Sequence, residues 1–552
     1  MEAKKLLGRG LFPKEMIPPF NSLMLESKFE EIKSKLNGYK NKTGKCINFN
    51  IPRLKSTRRK MGIPNPSNYY HLCKEIENNW TDIEKIIEKS KMSLSKPSIK
   101  DEGISYVVTE HQFPEITVKK VLNSLSAKYM VYADISRFHG TIYTHSIPWA
   151  LHGKSIAKSN INSDLYGNNI DKCFRSLQDN QTLGIPTGPS CSYIMAETIA
   201  SKIDDQIRKT LSIRIKMIRY IDDFYFFCDS INETELVIST LAKVLGEYEL
   251  ELNPTKTIVH KLPVEFENIW ISELRLNTFS SSVKKQEKDL ISYFSKVINY
   301  ARQFEGEFVF KYGISRIKNL KFNKENWAIY QSLLFQSMIA EPSIMRVVLE
   351  ILLKYDKIGY TVRKRDLTNT IYLILDYHCI HGNYYEILWS LWIAKSFSIK
   401  LNKNYGNMLV KVDNPLVAVM VKHMQDEKLI SKTLNKSVWT EHENNDDLYS
   451  EYWIYTYEAL QRDWLKTSNK FQIQCTFFKA LETYDVTFFE PNNQINLESF
   501  VDFDDDKIKC LKDLIELTRT LIKNGTASHE ELEKVEHALV ESIGVKFGDI
   551  EY

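Results

Sequence analysis

The chain has 552 residues, a formal net charge of +4 and ordinary shares of apolar (43%) and aromatic (12%) residues, so it is long enough for several domains and too apolar for disorder. It contains no secretory signal and no apolar run of about 18 residues, so we expect neither secretion nor a membrane span. The eight cysteines are scattered without a CxxC pair, which argues against a zinc knuckle or a disulfide framework and favours a reducing, cytoplasmic location.

The N-terminal segment, residues 1–44, is predicted to form a basic arm and a helix over 22–38. Residues 1–60 contain 15 Lys and Arg against 5 Asp and Glu, a charge that can bind phosphates. Residues 46–52 alternate like a strand, and a basic cluster at 55–60 follows at once. A strand with a basic turn could hold cations over a phosphate, and an exposed basic hairpin explains the pattern equally well.

A further strand is predicted at residues 128–134, an apolar-leaning run that ends in a single carboxylate, Asp134. Later in the chain, the glycine turn 184–188 (GIPTG) precedes a predicted helix over 192–207. Glycines before a helix N-terminus leave backbone N–H groups free, which suits a nucleic-acid template or a nucleotide. A plain loop that leads into a helix is the alternative.

Two adjacent carboxylates, Asp222 and Asp223, lie in a run of aromatic and branched residues, RYIDDFYFF (219–227). Neighbouring side chains on a strand point to opposite faces, so a tight hairpin tip is needed to present both carboxylates to one pocket. Buried carboxylates without partners are costly, and oxygen ligands of this kind suit Mg²⁺. The pair predicts a metal site at a hairpin, and a solvated turn between two strands is the alternative.

From about residue 275 onward, the sequence changes to apolar-periodic segments of roughly 9–16 residues that are separated by polar turns. Such segments predict helices, and paired helices at a regular spacing would form a HEAT-like array. We therefore predict that residues 281–552 form an all-α, helical-repeat C-terminal domain.

Four features occur in a fixed order behind the basic strand pair. They are the strand that ends in Asp134, the glycine turn 184–188, the hairpin with Asp222 and Asp223, and a predicted strand that ends in NPTKT (253–257). One such motif alone would be weak, but four in this order form a specific pattern.

This order resembles that of reverse transcriptases over residues 45–275, and the run YIDD (220–223) resembles the family's YxDD. The resemblance implies an α+β fold, a right-hand polymerase unit followed by the helical C-terminal domain. Its fingers would be residues 45–115, and its palm, an antiparallel sheet with helices, would be residues 116–280.

By that resemblance the chemistry is nucleotidyl transfer, in which two cations hold an attacking oxygen and a triphosphate in line. Asp134 and Asp222 would hold two Mg²⁺ ions, for which Mn²⁺ is a substitute, and Asp223 would be a weaker or outer ligand. The carbonyl of Ile135 would bind the ion at the triphosphate. The predicted activity is that of an RNA-directed DNA polymerase, a DNA nucleotidyltransferase.

The same resemblance assigns residues around the metals. Arg58 and Arg59 would grip the triphosphate from the fingers, because a guanidinium fork fits phosphate oxygens. Lys256 would protonate or stabilise the leaving pyrophosphate. The template and the incoming base would be positioned by the glycine turn, through Gly184, Pro186 and Gly188.

The position five residues after the first aspartate departs from the family pattern. Reverse transcriptases usually carry Phe or Tyr there, which blocks a ribose 2′-hydroxyl, whereas this chain has His139, with Phe138 just before it. Both residues are predicted to contact the nucleotide, and the departure leaves discrimination against ribonucleotides open.

A narrower resemblance lies in the run YTHSIPW (143–149) with residues 153–154 after it, and residues 49–52 and 58–59 also fit. It is to the abortive-infection reverse transcriptases of the AbiK type and related defence enzymes, which join fingers and palm to a helical-repeat domain in place of an ordinary thumb. The resemblance implies antiphage defence, a homotrimer or homohexamer, and DNA synthesis from dNTPs that is primed by a protein hydroxyl. Some members copy no template, and others use a partner non-coding RNA.

A tyrosine hydroxyl can replace a primer 3′-hydroxyl if it reaches the metals. The two candidates are Tyr39, in a basic, polar stretch before the fingers, and Tyr552, the last residue of the sequence.

Two other functions fit parts of the pattern. The first is a retron- or mobile-element-type reverse transcriptase that copies RNA from a nucleic-acid primer. It would need a basic C-terminal domain, but residues 481–552 carry 7 Lys and Arg against 17 Asp and Glu. The second is a helical scaffold protein with an idle palm, which the presence of all three carboxylates disfavours.

Overall fold

The computed structural model describes residues 1–36, 42–53, 57–111, 113–161, 165–211, 215–465 and 470–501. The chain divides into two compact units. Unit 1 comprises Met1–Asn268 and Lys364–Ile495, and unit 2 comprises Ile269–Arg363 and the residues from Asn496 onward. Both priming candidates, Tyr39 and Tyr552, lie outside the described residues.

Helices predominate over strands in the part of the chain that the structure describes. The strands are β1 (Ile47–Pro52), β2 (Arg58–Ile63), β3 (Pro97–Ile99), β4 (Val107–Thr109), β5 (Tyr129–Asp134), β6 (Lys216–Tyr220), β7 (Asp223–Cys228) and β8 (Ile258–Lys261). The α-helices are α1 (Ala3–Arg9), α2 (Leu23–Ser27), α3 (Phe29–Leu36), α4 (Pro66–Asn78), α5 (Trp80–Lys89), α6 (Phe113–Ser124), α7 (Phe138–Thr141), α8 (Ser146–His152), α9 (Lys154–Ser159), α10 (Tyr166–Ser176), α11 (Ser190–Thr210), α12 (Ile231–Glu247), α13 (Ile269–Arg275), α14 (Val283–Gln303), α15 (Val309–Ile317), α16 (Trp327–Ala340), α17 (Met345–Lys357), α18 (Lys364–His378), α19 (Tyr384–Ser396), α20 (Lys403–Leu409), α21 (Pro415–Asp426), α22 (Trp453–Gln461) and α23 (Thr476–Thr483). Short 3₁₀ helices lie at Lys324–Asn326, Pro342–Ile344, Val438–Glu441 and Asp446–Leu448.

A four-stranded antiparallel sheet with the strand order β6-β7-β5-β8 lies in unit 1, and it is called the palm sheet below. One face is apolar: Val131 lies opposite Phe226, and both are fully buried. Because side chains alternate along a strand, Asp134 and its partner Asp223 project from the other face. The predicted antiparallel palm sheet with accompanying helices is therefore present, and it carries two carboxylates on one face.

The strand that was predicted before NPTKT is only partly formed. Leu252 makes an isolated bridge with Ile135, and the regular strand β8 begins after Lys256. The reason is local: Pro254 has no N–H to donate to a ladder, and the side chain of Asn253 accepts from the N–H of Thr255, which closes a turn.

The hairpin of β1 and β2, called the fingers hairpin below, is bound to helices from the C-terminal half of the chain. Asn50 Nδ2 donates to the carbonyl of Gly382, and the N–H of Tyr384 donates to Asn50 Oδ1. The prediction of one separate domain over 281–552 differs from this division. Residues 364–495 belong with the fingers because they satisfy polar groups of the hairpin.

Unit 2 contains the helices α13 to α17, which enclose an aromatic core. The ring of Trp327 stacks on Tyr355 with 4.4 Å between centroids, and Phe322 meets Tyr330 edge-on at 4.7 Å. A helical character after residue 275 was predicted, and a HEAT-like repeat stays a prediction. Among the described residues, no helix combines the length and the apolar character that crossing a membrane requires.

Asn414 offers a test of the contact between α21 and the fingers hairpin. Its side chain accepts from the N–H groups of Leu416 and Val417 at the start of α21, and it also donates to the carbonyl of Asn48. We expect Asn414→Ala to lower the free energy of unfolding by about 2–3 kcal/mol, because a helix cap and a further hydrogen bond are lost together.

Asn402 is the matched control. It caps α20 in the same way but is exposed, so Asn402→Ala should cost only about 1 kcal/mol. Thermal unfolding of both variants measures the difference. Equal shifts in Tm would contradict the contribution of the contact with Asn48.

Candidate active site

A tight turn brings the three carboxylates together. Strand β6 ends at Tyr220 and β7 begins at Asp223, so only Ile221 and Asp222 connect them. Asp134 ends β5 directly opposite Asp223, and the N–H of Ile135 donates to the carbonyl of Asp222 at 3.2 Å. The hairpin tip that the sequence predicted is therefore present.

The carboxylates crowd one another electrostatically. Burial, and then the like charges of Asp223 and Asp134, raise the pKa of Asp222 to about 6. Burial also raises the pKa of Asp223, and the hydroxyl of Tyr132, which donates to Asp223 Oδ1 at 2.7 Å, opposes that shift. A site with this excess of negative charge attracts a cation.

One cation in the site belongs to the chain itself. Lys256 Nζ lies 2.8 Å from Asp134 Oδ2, and Asn253 Nδ2 donates to Asp134 Oδ1 at 3.0 Å. The lysine that was predicted to act at the leaving pyrophosphate thus contacts a carboxylate of the same site.

The donor set fits a hard divalent cation. Asp134, Asp222 and Asp223, with the carbonyl of Ile135, are all oxygen ligands, which Mg²⁺ and Mn²⁺ prefer. Across the described part of the chain, no three His, Cys, Asp or Glu side chains are already arranged closely enough to hold a metal ion. Any cation bound here would lie next to Lys256, because Lys256 already pairs with Asp134.

The two fingers arginines have different surroundings. Arg58 forms a two-pronged ion pair with Glu386 of α19, with Nη1–Oε1 and Nη2–Oε2 distances of 2.5 and 2.6 Å. Arg59 interacts with the charge of Asp222, which opposes the lowering of the Arg59 pKa by burial and by the neighbouring Arg53. Arg58 is thus engaged by Glu386, whereas the exposed side chain of Arg59 on β2 interacts with the charge of Asp222.

Alternation along a strand explains this result. Neighbouring residues on β2 face opposite sides, so Arg58 and Arg59 cannot both grip one phosphate group. The same reasoning could have been applied to the sequence once a strand was expected at 58–63. It would not have found Arg53, whose charge acts on Arg59 across the hairpin.

The glycine turn contacts the segment that carries Phe138 and His139. The N–H of Ile185 donates to the carbonyl of His139 at 2.8 Å. Gly184 has φ +82°, and a Cβ there would lie 2.9 Å from the carbonyl oxygen of Gly140, so a side chain is excluded. Pro186, between the two glycines, lies against Gly62 of β2, so this turn joins palm and fingers.

The second glycine of the turn is also constrained. Gly188 has φ +119°, and a Cβ there would approach Pro13 and Met61 at 3.2–3.3 Å. Phe138 is buried, and burial followed by the charge of Arg59 lowers the pKa of His139 to about 4. The imidazole is therefore neutral near pH 7.

Sequence reasoning missed the group that holds the turn in place. Arg219 is fully buried, and its guanidinium donates to Glu197 and to Asp204, both on α11, at 2.6–3.0 Å. The same guanidinium donates to the carbonyl of Ile221 at 2.8 Å, and the N–H of Ile221 donates to Ser95 Oγ at 2.7 Å. No local pattern signals this role, because the partners come from three separate parts of the chain.

These contacts hold a strained backbone. Ile221 has φ +56°, which is unfavourable for a β-branched residue and costs on the order of 1–3 kcal/mol. Both polar groups of Ile221 are bound by side chains, Arg219 and Ser95, and this double contact stabilises the turn that holds Asp222 between β6 and β7.

We expect Arg219→Met to lower the free energy of unfolding by about 3–5 kcal/mol, because it leaves Glu197 and Asp204 buried without their cation. Arg208→Met on the same helix as these carboxylates is the control. The Arg208 side chain is 54% exposed and pairs with Asp205 at 3.5 Å, so its loss should cost about 0–1 kcal/mol.

Thermal unfolding measures both variants. Adding Glu197→Gln and Asp204→Asn to Arg219→Met should recover part of the loss, since the uncompensated charges are then removed. An Arg219→Met protein that unfolds at the wild-type temperature would contradict the stabilising role of this cluster.

Comparison with known proteins gives one family and several distant structures. Residues 58–271 match the family model "Reverse transcriptase (RNA-dependent DNA polymerase)". No curated protein matches the chain. Apo telomerase from Candida tropicalis is 12% identical, with 66% of this chain and 73% of that chain covered and a TM-score of 0.32.

Telomerase from Candida albicans in complex with a fragment of telomeric RNA is 14% identical, with 73% of this chain and 65% of that chain covered and a TM-score of 0.29. Apo telomerase from Candida tropicalis truncated from its C-terminal domain is 13% identical, with 44% and 57% covered and the same TM-score. Scores of this size do not establish a shared fold. The family match, in contrast, spans the fingers strand β2, the whole palm sheet and all three carboxylates, and residues 58–271 are accordingly a reverse transcriptase domain.

Proposed function

We propose that this chain is an RNA-directed DNA polymerase of antiphage defence, which adds dNTPs by nucleotidyl transfer. The observation that carries the polymerase activity is the register of the palm sheet within the reverse transcriptase domain. It sets Asp134 opposite Asp223 and leaves Asp222 in the turn between β6 and β7.

The proposed roles follow from the charges in the site. Asp134 and Asp222 would hold two Mg²⁺ ions, or Mn²⁺ in their place, with Asp223 as an outer ligand and the carbonyl of Ile135 as a further oxygen. Such ions would supply polarisation of the attacking hydroxyl and neutralisation of the triphosphate charge. The raised pKa of Asp222, caused by burial and by its two carboxylate neighbours, supports this assignment because a cation would relieve the repulsion.

The remaining residues act on the nucleotide. Arg59, which interacts with the charge of Asp222, binds the triphosphate, with Arg53 beside it. Lys256, which pairs with Asp134 in the site, would stabilise or protonate the leaving pyrophosphate. The glycine turn 184–188 and the Phe138–His139 segment, which are joined by a backbone hydrogen bond, position the base and the sugar.

The defence function is supported by the resemblance of residues 143–149 to the AbiK-type enzymes. The same resemblance implies a cytoplasmic location and a homotrimer or homohexamer. It also implies synthesis that is primed by a tyrosine, either without a template or on a partner non-coding RNA. A retron- or mobile-element-type enzyme and a scaffold with an idle palm are the alternatives that the experiments below separate.

We expect Asp222→Ala to abolish dNTP incorporation by the purified protein in Mg²⁺, by about a thousandfold or more, because metal binding supplies several kcal/mol of transition-state stabilisation. Asp229→Asn is the control, since Asp229 is exposed just beyond the end of β7 and should leave the rate unchanged. Incorporation by Asp222→Ala at the wild-type rate would contradict the polymerase, and a wild-type protein without incorporation would favour the scaffold.

Priming by the protein is tested by whether the labelled product DNA remains attached to it. We expect labelled DNA to stay with the protein through phenol extraction and to be released by protease. Either Tyr39→Phe or Tyr552→Phe should remove this linkage, because phenylalanine lacks the attacking hydroxyl. Tyr377→Phe is the control, since Tyr377 is a tyrosine of unit 1 that is 55% exposed.

A product that separates from the protein in phenol would favour the retron- or mobile-element-type enzyme. A linked product that survives in both Tyr39→Phe and Tyr552→Phe would reject these two tyrosines as primers.

A further inference from the structure

The ion pair between Arg58 and Glu386 joins residues that are 328 positions apart in the sequence. The Glu386 side chain is 1% exposed and the Arg58 side chain 23% exposed, so the pair is largely withdrawn from water. Two parallel N–H···O bonds fix the plane of the guanidinium, which a single contact would not do.

Arg58 is the cation that balances Glu386. His378 Nδ1 lies 3.9 Å from Glu386 Oε1, but Asn383 Nδ2 donates a hydrogen bond to this nitrogen at 2.8 Å, so the nitrogen is an acceptor and carries no proton. Burial and the charge of Arg58 lower the pKa of His378 to about 4, which agrees with a neutral imidazole. Glu386 is thus tied to Arg58 by charge as well as by geometry.

The pair is one of several polar contacts between the fingers hairpin and the C-terminal helices of the same unit. Arg58 Nη2 also donates to Asn50 on the neighbouring strand, and Asn50 in turn contacts Gly382 and Tyr384 beside α19. The hairpin is therefore fixed at Arg58 on β2 and at Asn50 on β1.

Fixing Arg58 also fixes its neighbour. Side chains alternate along β2, so holding the Arg58 side chain on α19 directs Arg59 to the opposite side. That side is the one on which the charge of Asp222 acts on Arg59. Rotation of the strand about its axis would move both side chains together.

We propose that Glu386 is a positioning residue for the nucleotide: by anchoring Arg58, it orients strand β2 so that Arg59 meets the incoming triphosphate. Arg58 itself does not bind the triphosphate. This inference rests on the proposed polymerase activity, and it assigns a helix outside the matched residues 58–271 to the nucleotide site.

The test uses Glu386→Gln in the full chain, because glutamine keeps the shape and removes the charge. We expect the KM for dNTP to rise about tenfold while kcat changes less than about twofold, since a displaced arginine weakens ground-state and transition-state binding alike. Arg58→Met should raise KM at least as much, because it also removes the hydrogen bonds to Asn50. The double variant should be no worse than Arg58→Met alone, because both lack the pair between Arg58 and Glu386.

Glu458→Gln is the matched control. Glu458 is 0% exposed and pairs with Arg462, which is 24% exposed, at 2.8 Å in the same unit but on α22. It reproduces the loss of a buried carboxylate without touching the fingers hairpin. We expect it to lower Tm and to leave the KM for dNTP unchanged.

A second measurement does not depend on activity. Amide hydrogen exchange in residues 47–52 and 58–63 should become faster in Glu386→Gln and not in Glu458→Gln, because only the first releases the hairpin. If the wild-type protein incorporates no dNTP, the polymerase proposal fails, and the affinity for a fluorescent dNTP then replaces KM as the readout.

Three results would overturn the inference. The first is an unchanged KM, or unchanged dNTP affinity, in Glu386→Gln. The second is a lower KM, which would mean that Glu386 withholds Arg58 from the triphosphate. The third is an equal rise in KM in Glu458→Gln, which would mean that the pair of Arg58 and Glu386 contributes only to overall stability.

Discussion

The buried guanidinium of Arg219 is the interaction on which the site depends. It lies between two carboxylates of α11 and donates to the carbonyl of Ile221, so one side chain connects α11 to the turn between β6 and β7. Two anions around one cation leave a net negative charge in the interior, and burial raises the pKa of Asp204 accordingly, although Arg219 opposes the shift. The hydroxyls of Ser90 and Ser95, which donate to these carboxylates, spread that charge.

The strained turn at Ile221 sets the register of the sheet at the carboxylates. With Ile221 held at positive φ, β7 starts at Asp223, and Asp223 pairs with Asp134, the last residue of β5. A shift of one residue would send the carboxylates to the apolar face of the sheet. The charge crowding around Asp222 is the electrostatic consequence of a backbone geometry that Arg219 maintains.

Much of this could be predicted from the sequence because it is local. The hairpin tip, the lone aspartate at the end of β5 and the glycine turn follow from strand periodicity and from backbone constraints that single residues impose. The environments of Arg58 and Arg219 could not be predicted, since their partners are separated from them by long stretches of chain. The division of the C-terminal half escaped prediction for the same reason: apolar periodicity shows that a segment is helical but not which core it joins.

Unit 1 is discontinuous, and this has a consequence for how the protein is made. The reverse transcriptase domain leaves the ribosome first, but Glu386 is synthesised 328 residues after Arg58. At roughly 5–20 residues per second, that gap lasts about 15–65 s, during which the first strands of the fingers lack their permanent partners. The order of synthesis therefore delays completion of the fingers until the C-terminal helices emerge.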